Sequence, residues 1–117
     1  MLQDPRYSLG LDIEVIGRVT KDLWDFVFTE SEKMYLSGLS ENEKLFKSTA
    51  LFSIKEAFYK FQRPITKVFL DFLEVEVSLP DLKHVNVISD TVCPTSEIRD
   101  NNVALFIENQ CILALVF

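Results

Sequence analysis

Three carboxylates stand at spacings that could serve a divalent cation. Asp12 and Glu14 lie two apart in the stretch GLDIEV, which puts both side chains on one face of an extended strand. Glu56 follows 44 residues after Asp12, in a stretch of helical period. Carboxylate oxygens are the hard ligands that Mg2+ takes when it also bridges a phosphate. A plainer reading is open on spacing alone: Asp12 and Glu14 on a solvated strand face, and Glu56 in an i,i+4 pair with Lys60 worth a few tenths of a kcal/mol. Glu32 is the third residue after Thr29, where a capping box would use it.

Other chemistries find little support. Cys93 and Cys111 are the only cysteines and are far apart, not in C-x-x-C form, so two buried reduced thiols are expected rather than a disulfide framework or a zinc site. The three glycines, Gly10, Gly17 and Gly38, fall in no spacing that could cradle a phosphate on backbone amides. His84, Trp24 and Tyr59 read as packing or surface residues.

Secondary structure must bring the acids together. Residues 7–16 are rich in β-formers and alternate Leu11, Ile13 and Val15 against Asp12, Glu14 and Ile16, a strand pattern. Thr20 could cap a short segment DLWDFVF, and Thr29 with Glu32 opens ESEKMYLSGL. Ser40 and Glu43 repeat the capping pattern at the head of the longest helical stretch, ENEKLFKSTALFSIKEAFYKF, expected to stop before Pro64. On that helix Phe46, Ala50, Ile54, Ala57, Phe58 and Phe61 share one face. After Pro64 the period becomes two: Leu73, Val75, Val77 and Leu79 predict a strand ended by Pro80, and HVNVIS a second. Residues 90–101 read as a loop, and NVALFIE and CILALVF as strands joined around Asn109-Gln110. The order predicts an α+β fold, with a mainly antiparallel sheet packed on a long helix.

Composition fits that expectation. The 117 residues are 48% hydrophobic and 26% charged, which suits one domain spanning 1–117. No apolar run approaches the roughly 20 residues of a membrane crossing, and MLQDPRYSLG lacks the basic and apolar regions of a secretory signal, so a soluble, cytoplasmic protein is expected. The net charge of −6 argues against a nucleic-acid surface. It is unevenly spread: residues 68–117 carry eight acidic and two basic residues, whereas 1–67 are neutral. Within 41–67 six lysines and arginines outnumber three glutamates, so an anionic ligand would be met there.

The stretches GLDIE at 10–14 and FSIKEAFYK at 52–60 resemble the paired signatures of the 4'-phosphopantetheinyl transferases, G-[IV]-D-[IV]-E and W-[ST]-x-K-E-[AS]-x-x-K. FTESE at 28–32 is similar to the family's F-[ST]-x-x-E segment between them. The order of the motifs and the separation of Asp12 from Glu56 fit the surfactin-synthetase and enterobactin-synthase activating type. The continuation FQRPITKVFLDFLEVEV is similar to the enterobactin component D branch, which would suggest siderophore or secondary-metabolite biosynthesis. Phe52 stands where the family usually has Trp.

The resemblance implies transfer of the phosphopantetheine arm from coenzyme A to a serine hydroxyl of an acyl or peptidyl carrier protein, releasing 3',5'-ADP. It implies Mg2+ or Mn2+ held by Asp12, Glu14 and Glu56, with Lys60 on phosphate. Lys55 matches the signature lysine and is assigned with Lys60 to coenzyme A, and Glu56 or Glu32 would be the base. One departure shapes the expected assembly. The serine-histidine segment that grips the 3'-phosphate in two-half enzymes of this type has no counterpart before Gly10, and the region where the shorter acyl-carrier-protein synthases carry a related segment reads IENQCILAL. The chain is therefore expected to behave as a metal-binding C-terminal half. It would either self-associate or need a partner half, with a non-catalytic interaction module as the alternative.

Overall fold

The computed structural model describes residues 8–78, 81–88 and 96–117. In chain order the elements are β1 (Gly10–Val15), a 3-10 turn (Lys21–Leu23), α1 (Trp24–Val27), α2 (Glu30–Ser37) and α3 (Glu41–Thr66). A second 3-10 turn (Phe72–Glu74), β2 (Val75–Val77), β3 (Val85–Val87), α4 (Ser96–Arg99), β4 (Val103–Glu108) and β5 (Cys111–Val116) follow. The strands form two antiparallel sheets, one ordered β1-β5-β4 and the other pairing β2 with β3. This is the α+β arrangement that the sequence predicts, a long helix packed on antiparallel strands.

The central helix starts at Ser40, whose hydroxyl accepts the Glu43 N–H at 3.3 Å. The Glu43 carboxylate contacts that same hydroxyl at 3.1 Å, so the reciprocal bond to the Ser40 backbone, which would complete a capping box, is replaced by a side-chain contact. Thr29 and Glu32 do form the full box, whereas Thr20 heads its turn without a side-chain cap bond. α3 touches β1 and β5 as well as α2, β2 and β3. Residues all around its circumference are accordingly buried, from Ser48 and Thr49 through Ala57 and Phe58 to Gln62. Gly10 is fixed by this packing: a Cβ there would lie 1.7 Å from the Ala57 carbonyl oxygen, so only glycine lets β1 approach the helix so closely. The neighbouring Ser8 donates to the Phe61 carbonyl at 2.6 Å.

Three sequence expectations are corrected. α3 does not stop before Pro64 but runs to Thr66. Proline removes the N–H that the Lys60 carbonyl would accept, and the last turn is held in other ways. Lys67 closes it in the left-handed region (φ 62°) with its N–H on the Arg63 carbonyl at 2.9 Å. Buried Gln62 accepts from the Thr66 hydroxyl and donates to the Val68 carbonyl at 3.1 Å. The strand expected from Leu73 begins only at Val75, because Asp71 and Glu74 form a capping box around the Phe72–Glu74 turn; Leu79 and Pro80 lie outside the described residues. Within the expected loop 90–101, Ser96–Arg99 is a short helix, and residues 90–95 lie outside the described residues. Asn101 anchors the end of that stretch. Its buried amide exchanges bonds with the Val85 N–H and carbonyl at 3.1 and 3.0 Å and donates to the Ile98 carbonyl at 2.9 Å.

The larger sheet is buried on one face only. Leu11, Ile13 and Val15 point away from α3, and Ile13 is 59% exposed. Their register partners on β5 are Leu115, Leu113 and Cys111, and Phe106 of β4 lies opposite Leu113. An apolar, three-stranded face thus looks outward, and the β4-β5 hairpin carries it past the helix as far as the left-handed pair Asn109 and Gln110.

Candidate active site

The strand alternation that turns Leu11, Ile13 and Val15 outward turns Asp12 and Glu14 toward α3. Asp12 is only 8% exposed, so the reading that places both acids on a solvated face fails for it. Its Oδ2 accepts from the Ser53 hydroxyl at 3.0 Å, and Oδ1 lies 3.3 Å from Lys60 Nζ. Lys60 also donates to the Leu11 carbonyl at 2.9 Å. Glu14 pairs with Arg18 Nε at 3.2 Å. Glu56 lies one turn before Lys60 on the helix, in the same electrostatic neighbourhood. Burial pushes its carboxyl above the usual carboxylate range, the Asp12 charge adds to the rise, and Lys60 opposes it. Burial likewise raises Glu14, with Asp12 and Glu56 adding to the effect and Arg18 opposing it.

Asp12, Glu14, Glu56 and Lys60 are therefore neighbours, brought together by one strand face and one helix stripe. Ser53 belongs to the same stripe, at i, i+3 and i+7 relative to Glu56 and Lys60. Sequence reasoning did not single it out, although that spacing was there to be read. Next to Glu56, a cavity of about 240 Å³ opens between α3 and the segment leading to β2, lined by Tyr59, Phe69, Leu70 and Phe72.

Lys55 and Glu32 sit elsewhere, in the interior. Lys55 is buried, and its ammonium donates to Glu32 Oε1 at 2.6 Å, to the Val27 carbonyl at 2.8 Å and to the Phe72 carbonyl at 2.9 Å. Glu32 is fully buried. Its Oε1 also accepts the Thr29 N–H at 2.8 Å, and its Oε2 accepts the Val77 N–H at 2.9 Å. Burial lowers the Lys55 pKa and the Glu32 charge opposes that. An ammonium has three hydrogens, and these three acceptors use them all, so the pair ties α1, α2, α3 and β2 together, with Lys55 also lining the cavity beside Glu56.

The donor set suits a divalent metal in its chemistry. Three carboxylates supply hard oxygens, and burial raises the pKa values of Glu14 and Glu56, with neighbouring carboxylate charge adding to the rise. As the side chains stand, no group of three or more His, Cys, Asp or Glu among the described residues is arranged to hold a metal ion. The oxygens of Asp12 are already engaged by Ser53 and Lys60.

Comparison with known proteins gives the fold a family. The chain is similar to the holo-[acyl-carrier-protein] synthase of Thermotoga maritima, at 23% identity and a TM-score of 0.66, over 93% of this chain and 61% of that one. It is similar to the Bacillus anthracis synthase solved in complex with CoA (3',5'-ADP), at 21% identity and a TM-score of 0.69, over 93% and 92% of the two chains. The Neisseria meningitidis synthase aligns at 17% identity and a TM-score of 0.61, over 94% and 95%. The chain thus spans about three fifths of the Thermotoga protein and nearly all of the other two. No curated protein sequence matches it. Residues 8–110 match the family model of the 4'-phosphopantetheinyl transferase superfamily, and the chain belongs to that superfamily.

Proposed function

We propose that the protein transfers the 4'-phosphopantetheine arm of coenzyme A to a serine of an acyl or peptidyl carrier protein in the cytoplasm, releasing 3',5'-ADP. The observation that carries this reading is the convergence of Asp12, Glu14, Glu56 and Lys60 from β1 and α3. Asp12, Glu14 and Glu56 would hold Mg2+ or Mn2+, which when bound supplies neutralising charge at the pyrophosphate. Lys60 is half exposed, and beside its bonds to Asp12 and the Leu11 carbonyl its ammonium has a third hydrogen to offer a phosphate oxygen. Glu56 takes the serine proton. The serine oxygen then bonds to the phosphorus bearing the pantetheine arm, the bond from that phosphorus to 3',5'-ADP breaks, and Glu56 releases its proton to solvent. Glu32 and Lys55 act as framework in this reading, because their buried pairing leaves neither group for substrate.

The motif order supports the surfactin and enterobactin type. Length and overall fold support the compact synthases, most of which the chain covers nearly end to end. The outward apolar face of β1, β5 and β4 fits the second grouping, since a continuous exposed face of this kind marks an association surface. A second copy is its simplest occupant, and a partner half-domain is the alternative.

Intact-mass spectrometry of an apo carrier protein incubated with the chain, coenzyme A and Mg2+ tests the proposal. A gain of the phosphopantetheine mass that Glu56→Gln and Lys60→Ala suppress supports it. No gain at any protein concentration, with several carriers, leaves the interaction module as the better account.

A further inference from the structure

The cavity beside Glu56 has an open, aromatic rim. Phe69 lines it, yet 77% of that residue is exposed. Tyr59 lies against the Phe69 ring with centroids 6.0 Å apart, and the Arg63 guanidinium stands 4.8 Å from the ring centre. Deeper in, Phe72 stacks on Phe52 at 5.3 Å, which fixes the inner wall. A ring left so far in water contributes little to folding. At about 240 Å³ the cavity falls below the roughly 300–1,000 Å³ of pockets that enclose a whole ligand, so it suits one end of a longer molecule. Among the described residues no carboxylate pairs with Arg63. It follows Lys60 by one helical turn, so two cations share one side of α3 at the mouth of the cavity.

We infer that this corner is a nucleotide platform: the adenine of coenzyme A stacks on Phe69 at the cavity mouth, and Arg63 holds the 3'-phosphate. The inference rests on the transfer reaction proposed above and deepens it, by assigning the nucleotide grip that a chain without the serine-histidine segment otherwise lacks. A flat base matches aromatic walls, because stacking asks only for a π face. The pantetheine arm matches them less well, since its two amides would be buried against Phe69, Leu70 and Phe72 with few partners. Charge selects the same end of the molecule. Two phosphates carried on one ribose meet two cations one turn apart, the 5'-phosphate at Lys60 and the 3'-phosphate at Arg63. The planar guanidinium can offer a phosphate two parallel N–H bonds. All of these side chains come from one copy of the chain, so nucleotide binding by itself needs neither a second copy nor a partner half.

Isothermal titration calorimetry of the full chain in EDTA, with 3',5'-ADP, 5'-AMP and 4'-phosphopantetheine as separate ligands, tests the platform without any metal. The wild type should bind 3',5'-ADP saturably. Phe69→Ala should weaken that binding about ten-fold, within the range for losing one base stack, and Phe69→Trp should restore it. Arg63→Met should weaken 3',5'-ADP about ten-fold, as expected for one charged contact, but 5'-AMP by less than about two-fold. A general loosening of the helix end would not separate the two nucleotides. Circular dichroism checks that the variants fold. Equal 3',5'-ADP binding by Phe69→Ala and the wild type overturns the platform and leaves the transfer reaction standing. The same holds if 4'-phosphopantetheine is the ligand whose affinity Phe69→Ala lowers. No saturable 3',5'-ADP binding by the wild type also overturns the platform, whether or not transfer occurs. Nucleotide binding that depends on Phe69 and Arg63, in a protein that modifies no carrier, supports the platform and removes the reaction.

Discussion

The two faces of β1 obey opposite rules. On the outer face Leu11, Ile13 and Val15 are apolar and exposed, while on the inner face Asp12 is charged and buried against α3. A strand read only for hydrophobic alternation would be docked the other way round, with its leucine and isoleucine on the core. The inversion departs from what burial alone would favour on both faces of β1. Burying a carboxylate is unfavourable unless it is paired, and leaving a three-stranded apolar face in water forgoes its burial. Both departures make sense together if the inner face is a site and the outer face is an interface, since local rules are most often broken where function lies.

The largest expected effect breaks the inner face chemically. Glu56→Gln keeps the shape of the side chain and removes its ability to accept a proton, so carrier-protein modification should fall by about 10²–10⁴-fold, the usual contribution of a general base. A variant retaining more than about a tenth of wild-type transfer would take the base role away from Glu56. Next comes the seam that holds the inner face to the helix. Gly10→Ala places a methyl group 1.7 Å from the Ala57 carbonyl oxygen, and β1 can accept it only by lifting off α3. Urea denaturation should show a loss of about 3 kcal/mol, at the upper end of what overpacking costs. A loss below about 0.5 kcal/mol, the range of ordinary surface changes, would mean that the close approach is not required.

The outer face should respond in assembly and hardly at all in stability. Ile13→Asp combined with Phe106→Asp puts charge at two exposed points, one on each edge strand of the sheet. Light scattering should show the wild type as an oligomer and the double variant as a monomer. The folding free energy of that monomer should move by no more than about 0.5 kcal/mol per substitution. A monomeric wild type would remove the second copy as occupant of this face.

How much of this was legible in the sequence depends on whether a signal is local. β1, the long helix and the β4-β5 hairpin carry strong periodicity, and all three stand where periodicity puts them. Failures came where a few side-chain bonds outweigh the pattern, as in the turn around Asp71 and Glu74 and the helix end carried past Pro64 by Gln62, Thr66 and Lys67. The acids Asp12, Glu14 and Glu56 could be nominated as a set because two spacings and three motifs pointed the same way. The fate of Lys55 and Glu32 could not be read. Both sit in motifs, and the capping box at Thr29 was visible, but their ion pair joins two helices across the core. Nothing in the order of residues says that one motif lysine is sealed in while the next, five positions on, reaches solvent.

The smallest effect is the most direct test of strain on the inner face. Burial and the Asp12 charge raise the Glu56 pKa in the folded protein, so the fold favours the protonated acid. The stabilisation linked to that proton is fully present below the unfolded pKa, near 4.3 for an ordinary glutamate, and is lost as pH rises through the higher folded value. Above that folded value Glu56 is ionised and its charge counts against folding. Glu56→Gln stays neutral at every pH, so without metal it should melt higher than the wild type at about pH 7. The gain is modest, about 0.5 kcal/mol or roughly 2 °C, because the side chain is partly open to solvent and its charge is screened. It should shrink to nothing as the pH is lowered toward about 4, where the wild-type carboxyl is protonated as well. The sign separates a site from ordinary surface: the same substitution that removes activity would stabilise the apo protein. A variant that melts lower at neutral pH would show that Lys60 already compensates Glu56 in full, and that the acids of the inner face carry no unspent charge for a metal to claim.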